Sequence, residues 1–463
     1  MANASATNLP KGNKKLINAW ATYDLANSVY NLVITATIFP IYYKIVTTTK
    51  DAAGNEVSNL VNFLGFEIKN TTLYDFAIAF AFLMVALVIP LLSGIADYGG
   101  SKKKFMQFFC YIGATSCSLM YFFNSSTLYL GITLAVLACI GFAGSLVFYN
   151  SYLPEIAHTD QQDAVSAKGF AMGYVGSAVL LIINLALVMT RDTGAEKLRM
   201  MQWSFVTVGI WWASFAQITF KFLPKANEEK NAAKKKQGNY IFAGYKELKK
   251  VWKELKHNKK LVRFLPAFFI YSMGVQTVML VANHFGSDEI KMEPGQLITT
   301  ILIIQFVAMI GAYLFSFLSR KTSNLFTLKI ATIIWSLICI CTFLFVYTPL
   351  HFYIVAGFVG LVMGGIQSLS RSTYSKMLPE TDDNASYFSF YDVCEKLSIV
   401  LGMATFGIIN ELSSTMRTPI VALIVFFVLG YLLLLRVPNS KNNVKYSYKE
   451  NNKLDLKIEM TNK

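Results

Sequence analysis

Ionisable side chains set inside long apolar stretches are the residues of this 463-residue sequence best placed to do chemistry. A charge in a bilayer core is costly unless it faces water or a partner. Three clusters qualify. Asp24, Asn27, Ser28 and Asn31, with Thr35 beyond them, recur at spacings of three and four and so share one helix face. A polar stripe on an apolar helix suits a watery path, although Asp24 also stands near enough to the helix start to meet water there. Asp392, Glu395 and Lys396 form the second cluster. Asp392 and Lys396, four apart, can pair within their helix, which leaves Glu395 as an unmatched acid in need of a base or a proton; a static salt bridge is the competing reading. The third is Gly364-Gly365-Ile366-Gln367-Ser368-Leu369-Ser370-Arg371. Its glycines admit close approach of another helix or a solute, and Gln367 and Arg371 share a face. Arg371 either snorkels to the interface or is the counter-ion of Asp24, Glu395 or a substrate carboxylate. All three clusters fall toward the same side of the membrane, as expected of a gate or the floor of a binding site.

Other chemistry finds little footing. No G-x-x-x-x-G-K-[ST] loop is present, and no H-E-x-x-H or G-x-S-x-G motif stands at a helix end, so neither an ATP-driven pump nor a membrane hydrolase is expected. The six cysteines lie in or beside apolar segments without a C-x-x-C pair, and the four histidines are scattered; no metal, cofactor or disulfide framework is expected. The net charge of +15 is high, but no nucleic-acid-binding fold fits between the apolar runs.

The elements that must carry these residues are membrane spans. The chain is 54% hydrophobic and only 15% charged, against roughly 25% charged in soluble domains. Apolar runs of about 20 residues recur throughout, each long enough to cross a bilayer. The expected architecture is all-α and polytopic, with about 12 spans: Trp20–Tyr43, Leu73–Ala96, Phe105–Phe123, Leu128–Tyr149, Gly169–Met189 and Trp203–Leu223 in one half, then Phe264–Phe285, Leu297–Leu318, Phe326–Tyr347, Phe352–Ser370, Tyr387–Ile409 and Pro419–Leu435 in the other. The divisions are 1–19 (N-terminus), 20–223, a basic loop 224–262, 263–437 and a polar tail 438–463. Most of the 42 lysines and arginines then lie on the side of the termini, which the positive-inside rule makes cytoplasmic. In the central loop, Ile241, Tyr245, Leu248, Trp252 and Leu255 line one helix face, with Lys246, Lys249, Lys250, Lys253 and Lys256 elsewhere around it; this suits a helix on an anionic membrane surface. The polar N-terminus shows no cleavable signal pattern.

The halves echo each other: Tyr149-x-x-x-Leu153-Pro154-Glu155 near the end of the fourth span recurs as Tyr374-x-x-x-Leu378-Pro379-Glu380 near the end of the tenth. Between spans two and three stands Gly94-Ile-Ala-Asp97-Tyr-Gly99-Gly-Ser-Lys102-Lys-Lys104, which resembles the signature loop of the major facilitator superfamily. That resemblance implies that Gly94, Asp97 and Lys102 hold one side closed, Asp97 meeting a helix end and an arginine. The second-half counterpart, Ser316-Phe-Leu-Ser319-Arg320-Lys321, lacks both Gly and Asp, so the gate is expected to be asymmetric and stronger in the N-half. Trp20-Ala-Thr-Tyr23-Asp24-Leu-Ala-Asn27-Ser28, Phe148-Tyr149-Asn150-Ser-Tyr-Leu153-Pro154 followed by Ser166-Ala-Lys168-Gly169, and Gly364-Gly365-Ile-Gln367-Ser-Leu-Ser370-Arg371 are similar to one branch, the vacuole effluxers and their bacterial relatives.

The expectation is a secondary active transporter, not an enzyme, in which two six-helix halves rock about a central cavity. The resemblance implies a small polar solute, amino acids foremost, moved outward; the intramembrane acids Asp24 and Glu395 are the candidates for proton coupling. Asn27, Ser28, Asn31, Gln367, Tyr149 and Asn150 are the candidate cavity residues, and Asp24, Arg371, Asp392, Glu395 and Lys396 the charge network. A monomer in a bacterial inner membrane is expected; the alternative is a lipid or amphiphile carrier of the same fold.

Overall fold

The computed structural model describes residues 9–51, 56–99, 102–224, 240–413 and 415–438. The chain is a succession of long helices joined mostly by short turns: α1 (Lys14–Thr47), α2 (Asn70–Gly99), α3 (Lys102–Leu119), α4 (Leu128–Ile156), α5 (Gln162–Met189), α6 (Gly194–Phe222), α7 (Tyr240–His257), α8 (Lys259–His284), α9 (Pro294–Lys321), α10 (Asn324–Phe345), α11 (Pro349–Met377), α12 (Asn384–Glu411) and α13 (Thr418–Leu435). Nine are long and apolar enough to cross a membrane. α3, α6 and α12 are more polar, because their sequences carry the lysines of the 2–3 loop, the ends of α6 and the Asp392 cluster, yet they pack alongside the others as full-length neighbours.

Helix starts follow local chemistry. Asn13 caps α1 by accepting from the Lys15 amide at 2.9 Å, Thr193 and Glu196 form a capping box on α6, and proline opens α9, α11 and α13 where its missing N–H leaves no bond unmade. α1 is longer than the sequence implies at both ends. It also loosens into a π-helical stretch at Tyr30–Ile38, directly after Asn27 and Ser28; π turns inside α-helices frequently mark functional positions. The α1–α2 connection holds two short antiparallel hairpins, β1 (Thr49–Lys50) with β2 (Glu56–Ser58) and β3 (Leu60–Phe63) with β4 (Phe66–Lys69). They fall in a stretch that the hydropathy reading left unassigned.

Two cores organise the helices. One gathers α1–α6 around Trp20, Phe39, Phe148 and Trp212, and the other gathers α8–α13 around Phe264, Phe268, Trp335 and Phe427. The halves meet where α5 packs on α9 and α11 and where α12 packs on α2 and α4. The outer surface is studded with exposed Leu87, Ile183, Ile310, Leu337, Phe358 and Leu429, as a lipid-bathed bundle requires.

α7 lies against the end of α2, where an added Cβ on Gly94 would strike the Gly244 backbone. The face expected from sequence is split. Leu255 turns inward with Gly244 and Val251, whereas Tyr245 and Trp252 are exposed. Tertiary packing, which the amphipathic pattern cannot see, selects the narrow stripe that fits the groove. The Ile241 side chain, residues 225–239, most of the expected polar tail and the first eight residues lie outside the described set.

The closest helix pair is α9–α11. A Cβ on Gly364 would press on the Ala308 carbonyl, so Gly364→Val should destabilise the C-half by about 1–3 kcal/mol through overpacking. Thermal unfolding in detergent checks this; an unshifted midpoint would refute the packing argument.

Candidate functional site

Arg371 is the centre of the charged cluster. It lies on α11 about two turns from the helix end, buried, and it reaches across into the N-half. Its Nη1 and Nη2 each donate to Asp24 Oδ2 at 3.2 Å, Nη1 also donates to Asn150 Oδ1 at 3.2 Å, Nε to Ser166 Oγ at 3.0 Å and Nη2 to the Ser166 carbonyl at 2.9 Å. The Tyr149 hydroxyl donates to the same Asp24 oxygen at 2.8 Å. Phe170, Trp20 and Tyr149 surround the guanidinium, with ring centroids 4.2, 4.9 and 5.5 Å from Cζ, an arrangement that favours Arg over Lys. Gly169 makes the room: a Cβ there would lie 2.8 Å from Nη2 and 3.0 Å from the Tyr149 hydroxyl. One helix turn further in, the Tyr174 hydroxyl donates to Gln367 Oε1 at 2.5 Å. Arg371 is therefore the counter-ion of Asp24 and does not snorkel. Tyr149 and Asn150, expected along the solute path, belong to this closed cluster.

Two latches flank it. At the end of α2, Asp97 accepts from the Ser386 and Ala385 amides at 2.7 and 3.3 Å, capping α12. Its cation is Lys102, 4.0 Å away, in place of the arginine expected; Lys102 also pairs with Glu155, which in turn accepts from Asn384 at 3.0 Å. The second latch overturns the expectation of a weak C-half gate. Buried Asp163, in the first turn of α5, accepts from Lys376 at 2.5 Å, Asn324 at 2.7 Å and Ser319 at 3.0 Å. Ser319 occupies the position equivalent to Asp97, so the acid has moved to the other partner and the latch is kept. The echoed motif diverges as well: Glu155 is engaged, Glu380 is exposed.

Deeper in α12, the Asp392–Lys396 pair expected from spacing is present, and Lys396 pairs with Glu395 as well. Lys396 sits 2.6 Å from Glu395 but 3.8 Å from Asp392, and Gln276 donates to Glu395 at 3.3 Å. Glu395 is thus matched, half-buried, and turned toward α8. Asp392 is buried and keeps only the longer of the two ion pairs, with no hydrogen bond to either oxygen. The Lys396 side chain reaches both carboxylates and lies closer to Glu395. On α1, buried Asn27 leaves its amide nitrogen without a hydrogen bond, Ser28 faces Gly173 of α5, and Asn31 is half-buried. Wide crevices lie elsewhere: a cleft of about 650 Å³ beside Tyr42, Tyr121 and Arg199, and an apolar cavity of about 60 Å³ inside the C-half beside Phe285 and Phe352.

Sequence reasoning missed Asp163, Asn324 and Lys376, and named Ser166 only within a family-like stretch and without a role. The signal for the first three was the internal symmetry, which pairs the end of the eighth span with the start of the fifth.

Outside the spans, α7 is tied to the same end. Lys250 donates to Asp383 at 2.8 Å and to Glu247 at 2.9 Å, and Tyr387 donates to Glu254 at 2.8 Å. Burial is the largest single influence on the Asp383 carboxyl and would raise it, but the hydrogen bonds from Lys250, Glu247 and Thr381 and the Lys250 charge together outweigh burial and hold the group below its ordinary value. The Asp383 hydrogen bond chiefly raises the Lys250 ammonium. The tie therefore contributes fully above the ordinary carboxylate value and is lost only as pH falls through the depressed one.

Comparisons with known proteins bear on the family and the fold. The model of the family described as "Vacuole effluxer Atg22 like" matches residues 12–446. The uncharacterized MFS-type transporter YxiO of Bacillus subtilis (strain 168) is 31% identical over 428 residues, covering 91% of this chain and 94% of the relative. Autophagy-related protein 22 of Yarrowia lipolytica is 24% identical, covering 87% and 82%. Among solved structures, the proton:xylose symporter XylE of the major facilitator superfamily superposes with a TM-score of 0.69 at 11% identity, over 92% of this chain and 96% of that one.

Removing one partner of a buried ion pair strands the other, at about 3–5 kcal/mol. Asp24→Asn and Arg371→Gln should each lower stability by that order, and the double variant should lose no more than the worse single one. A double-mutant cycle on unfolding midpoints reads this; additive losses would mean that the pair is not coupled.

Proposed function

The chain belongs to the vacuole effluxer Atg22-like family of the major facilitator superfamily and is a multi-pass membrane transporter; from that premise we propose that it moves a small zwitterionic solute of the amino-acid class by alternating access, coupled to protons. The observation that carries the reading is the contrast between two charge clusters. The Asp24–Arg371 pair and its flanking latches join the two halves at one end, where opening must break them. The α12 cluster lies wholly in the C-half and about 12–18 Å in from the start of α12, by the helical rise, and it holds two acids and one base.

Glu395 and Lys396 offer the two charges that a zwitterion's ammonium and carboxylate would pair with, with Gln276 beside them. Protonating Asp392 gives up only its longer ion pair to Lys396, leaves the shorter Lys396–Glu395 contact in place and balances the cluster's charge. Asp392 is in this reading the proton-carrying acid, in place of Asp24, whose oxygens are committed to the gate, or Glu395. Asn27, Ser28 and Asn31 on α1 and Gln367 on α11 form the facing polar walls. The side bearing the termini faces the cytoplasm, because the basic turns and α7 cluster there, and net movement is outward from it. A bacterial inner membrane is the setting that the relative from Bacillus subtilis supports.

The test is uptake and counterflow of labelled amino acids in proteoliposomes, with and without an imposed proton gradient. Asp392→Asn is expected to abolish gradient-driven accumulation while keeping counterflow within about threefold, and Glu395→Gln to weaken both by about tenfold or more. If the folded wild type moves no amino acid under any gradient, the solute assignment fails and lipid translocation becomes the next assay. If Asp392→Asn still accumulates solute, the proton belongs elsewhere.

A further inference from the structure

α7 has two sides, and only one is explained by the bundle. Its inner stripe of Gly244, Val251 and Leu255 is packed away. The outer side carries Phe242, Tyr245 and Trp252, exposed at 69%, 57% and 44%, interleaved with the exposed lysines Lys246, Lys249, Lys253 and Lys256. Lys256 lies over the Trp252 ring at 4.9 Å, and Trp252 also meets Phe390 of α12 at 5.4 Å. Aromatic rings interleaved with lysines are ill-suited to bulk water and well suited to the headgroup layer, where rings sit at the apolar boundary and ammonium groups meet phosphates.

The seat of α7 supplies a second, independent observation. The helix does not lie over the aqueous end of the bundle. Gly244 contacts α2 at Gly94 and Ile95, about 6–8 Å along the helix axis from its end at Gly99. On the other side of the seam, Trp252 meets Phe390, about 9 Å in from the start of α12, while Lys250 and Glu254 hold Asp383 and Tyr387. α7 thus runs flank-on across the line where α2 of one half meets α12 of the other, beside the last turns of α2 and the first turns of α12.

We propose that the outer face of α7 is a docking surface for the anionic phospholipid headgroups of the membrane that the chain spans, and that lipid so bound holds the helix as a strap across the α2–α12 seam. The occupant is fixed by charge complementarity: the charged side chains interleaved with the exposed rings are all lysines, and the acids of the helix lie to one flank, half-buried Glu247 accepting from Lys250 and exposed Glu254 from Tyr387. This inference rests on the multi-pass membrane reading and not on which solute is moved.

Amide hydrogen exchange of the full chain in nanodiscs tests it, comparing pure phosphatidylcholine with a mixture about one-third phosphatidylglycerol. Exchange across Tyr240–His257 should slow by about tenfold in the anionic discs, with the spans unchanged. Replacing Lys246, Lys249, Lys253 and Lys256 together by Glu should erase the difference, and replacing them by Arg should keep it. Because the readout is local and needs no transport, a failed solute assay leaves it standing. Equal exchange in both lipids, as expected if the face meets water or a soluble protein, overturns the proposal. So does a lipid difference that survives charge reversal, or one that the Arg variant loses.

Discussion

A guanidinium cannot be left unpaired inside a membrane protein, and the cross-membrane half of this structure is arranged around meeting that requirement for Arg371. Five N–H donors need acceptors in a fixed planar fork. α1 supplies Asp24, α4 supplies Asn150 and the tyrosine that shares Asp24, and α5 supplies the hydroxyl and carbonyl of Ser166. The rings of Trp20, Tyr149 and Phe170 cover what remains. Since α11 brings the cation from one half and α1, α4 and α5 bring its partners from the other, the halves cannot part here until water can replace the lost contacts. Separation of the halves and hydration of this pair are one event.

The same asymmetry of charge runs through the whole end of the bundle. Asp24, Asp97, Glu155 and Asp163 all belong to the N-half, and each takes its cross-half donor from the C-half: Arg371, the first amides of α12, Asn384, and the trio Lys376, Asn324 and Ser319. An acid-bearing face against a donor-bearing face attracts and also registers, because shifting either half sideways misaligns every contact at once. Toward the other end, Asn283 donates to the Ala36 carbonyl at 3.4 Å, and the adjacent His284 interacts electrostatically with Asp75 of α2. Among the described residues, short charge-assisted hydrogen bonds between the halves concentrate at the Arg371 end.

How far this was legible in the sequence depended on the range of the interaction. Hydropathy and basic turns gave the spans, since both are read from consecutive residues. Asp24 and Arg371 stood out because charge inside an apolar run is rare, and the family likeness raised them further. What the sequence could not rank was partnership. Lys396 is four residues from Asp392 and one from Glu395; helix spacing names the first as its partner, and the ammonium pairs with both, more closely with the second. Asp163 looked like an ordinary first-turn acid at a helix start, because its three partners come from 156 to 213 residues away. The inner stripe of α7 was hidden for a similar reason: a helix apolar on more than one side offers several faces, and the groove that chooses one is built by residues far along the chain.

The distribution of these clusters over the helices makes α12 the element that connects them. Its first turn is capped by Asp97 and tied to α7 through Asp383, and its middle carries Asp392, Glu395 and Lys396. These sites lie on one continuous helix, Asn384–Glu411, with no proline to break it between the cap and the acids. A helix transmits a tilt along its axis far better than it absorbs one. Any change that reseats the middle of α12, such as drawing Lys396 from Glu395 to Asp392, is therefore felt at the Asp97 cap, about 12 Å along the axis, where the amide contacts are directional and tolerate little rotation. The buried acid that accepts no hydrogen bond and the latch that depends on two of them are thus two ends of the same lever.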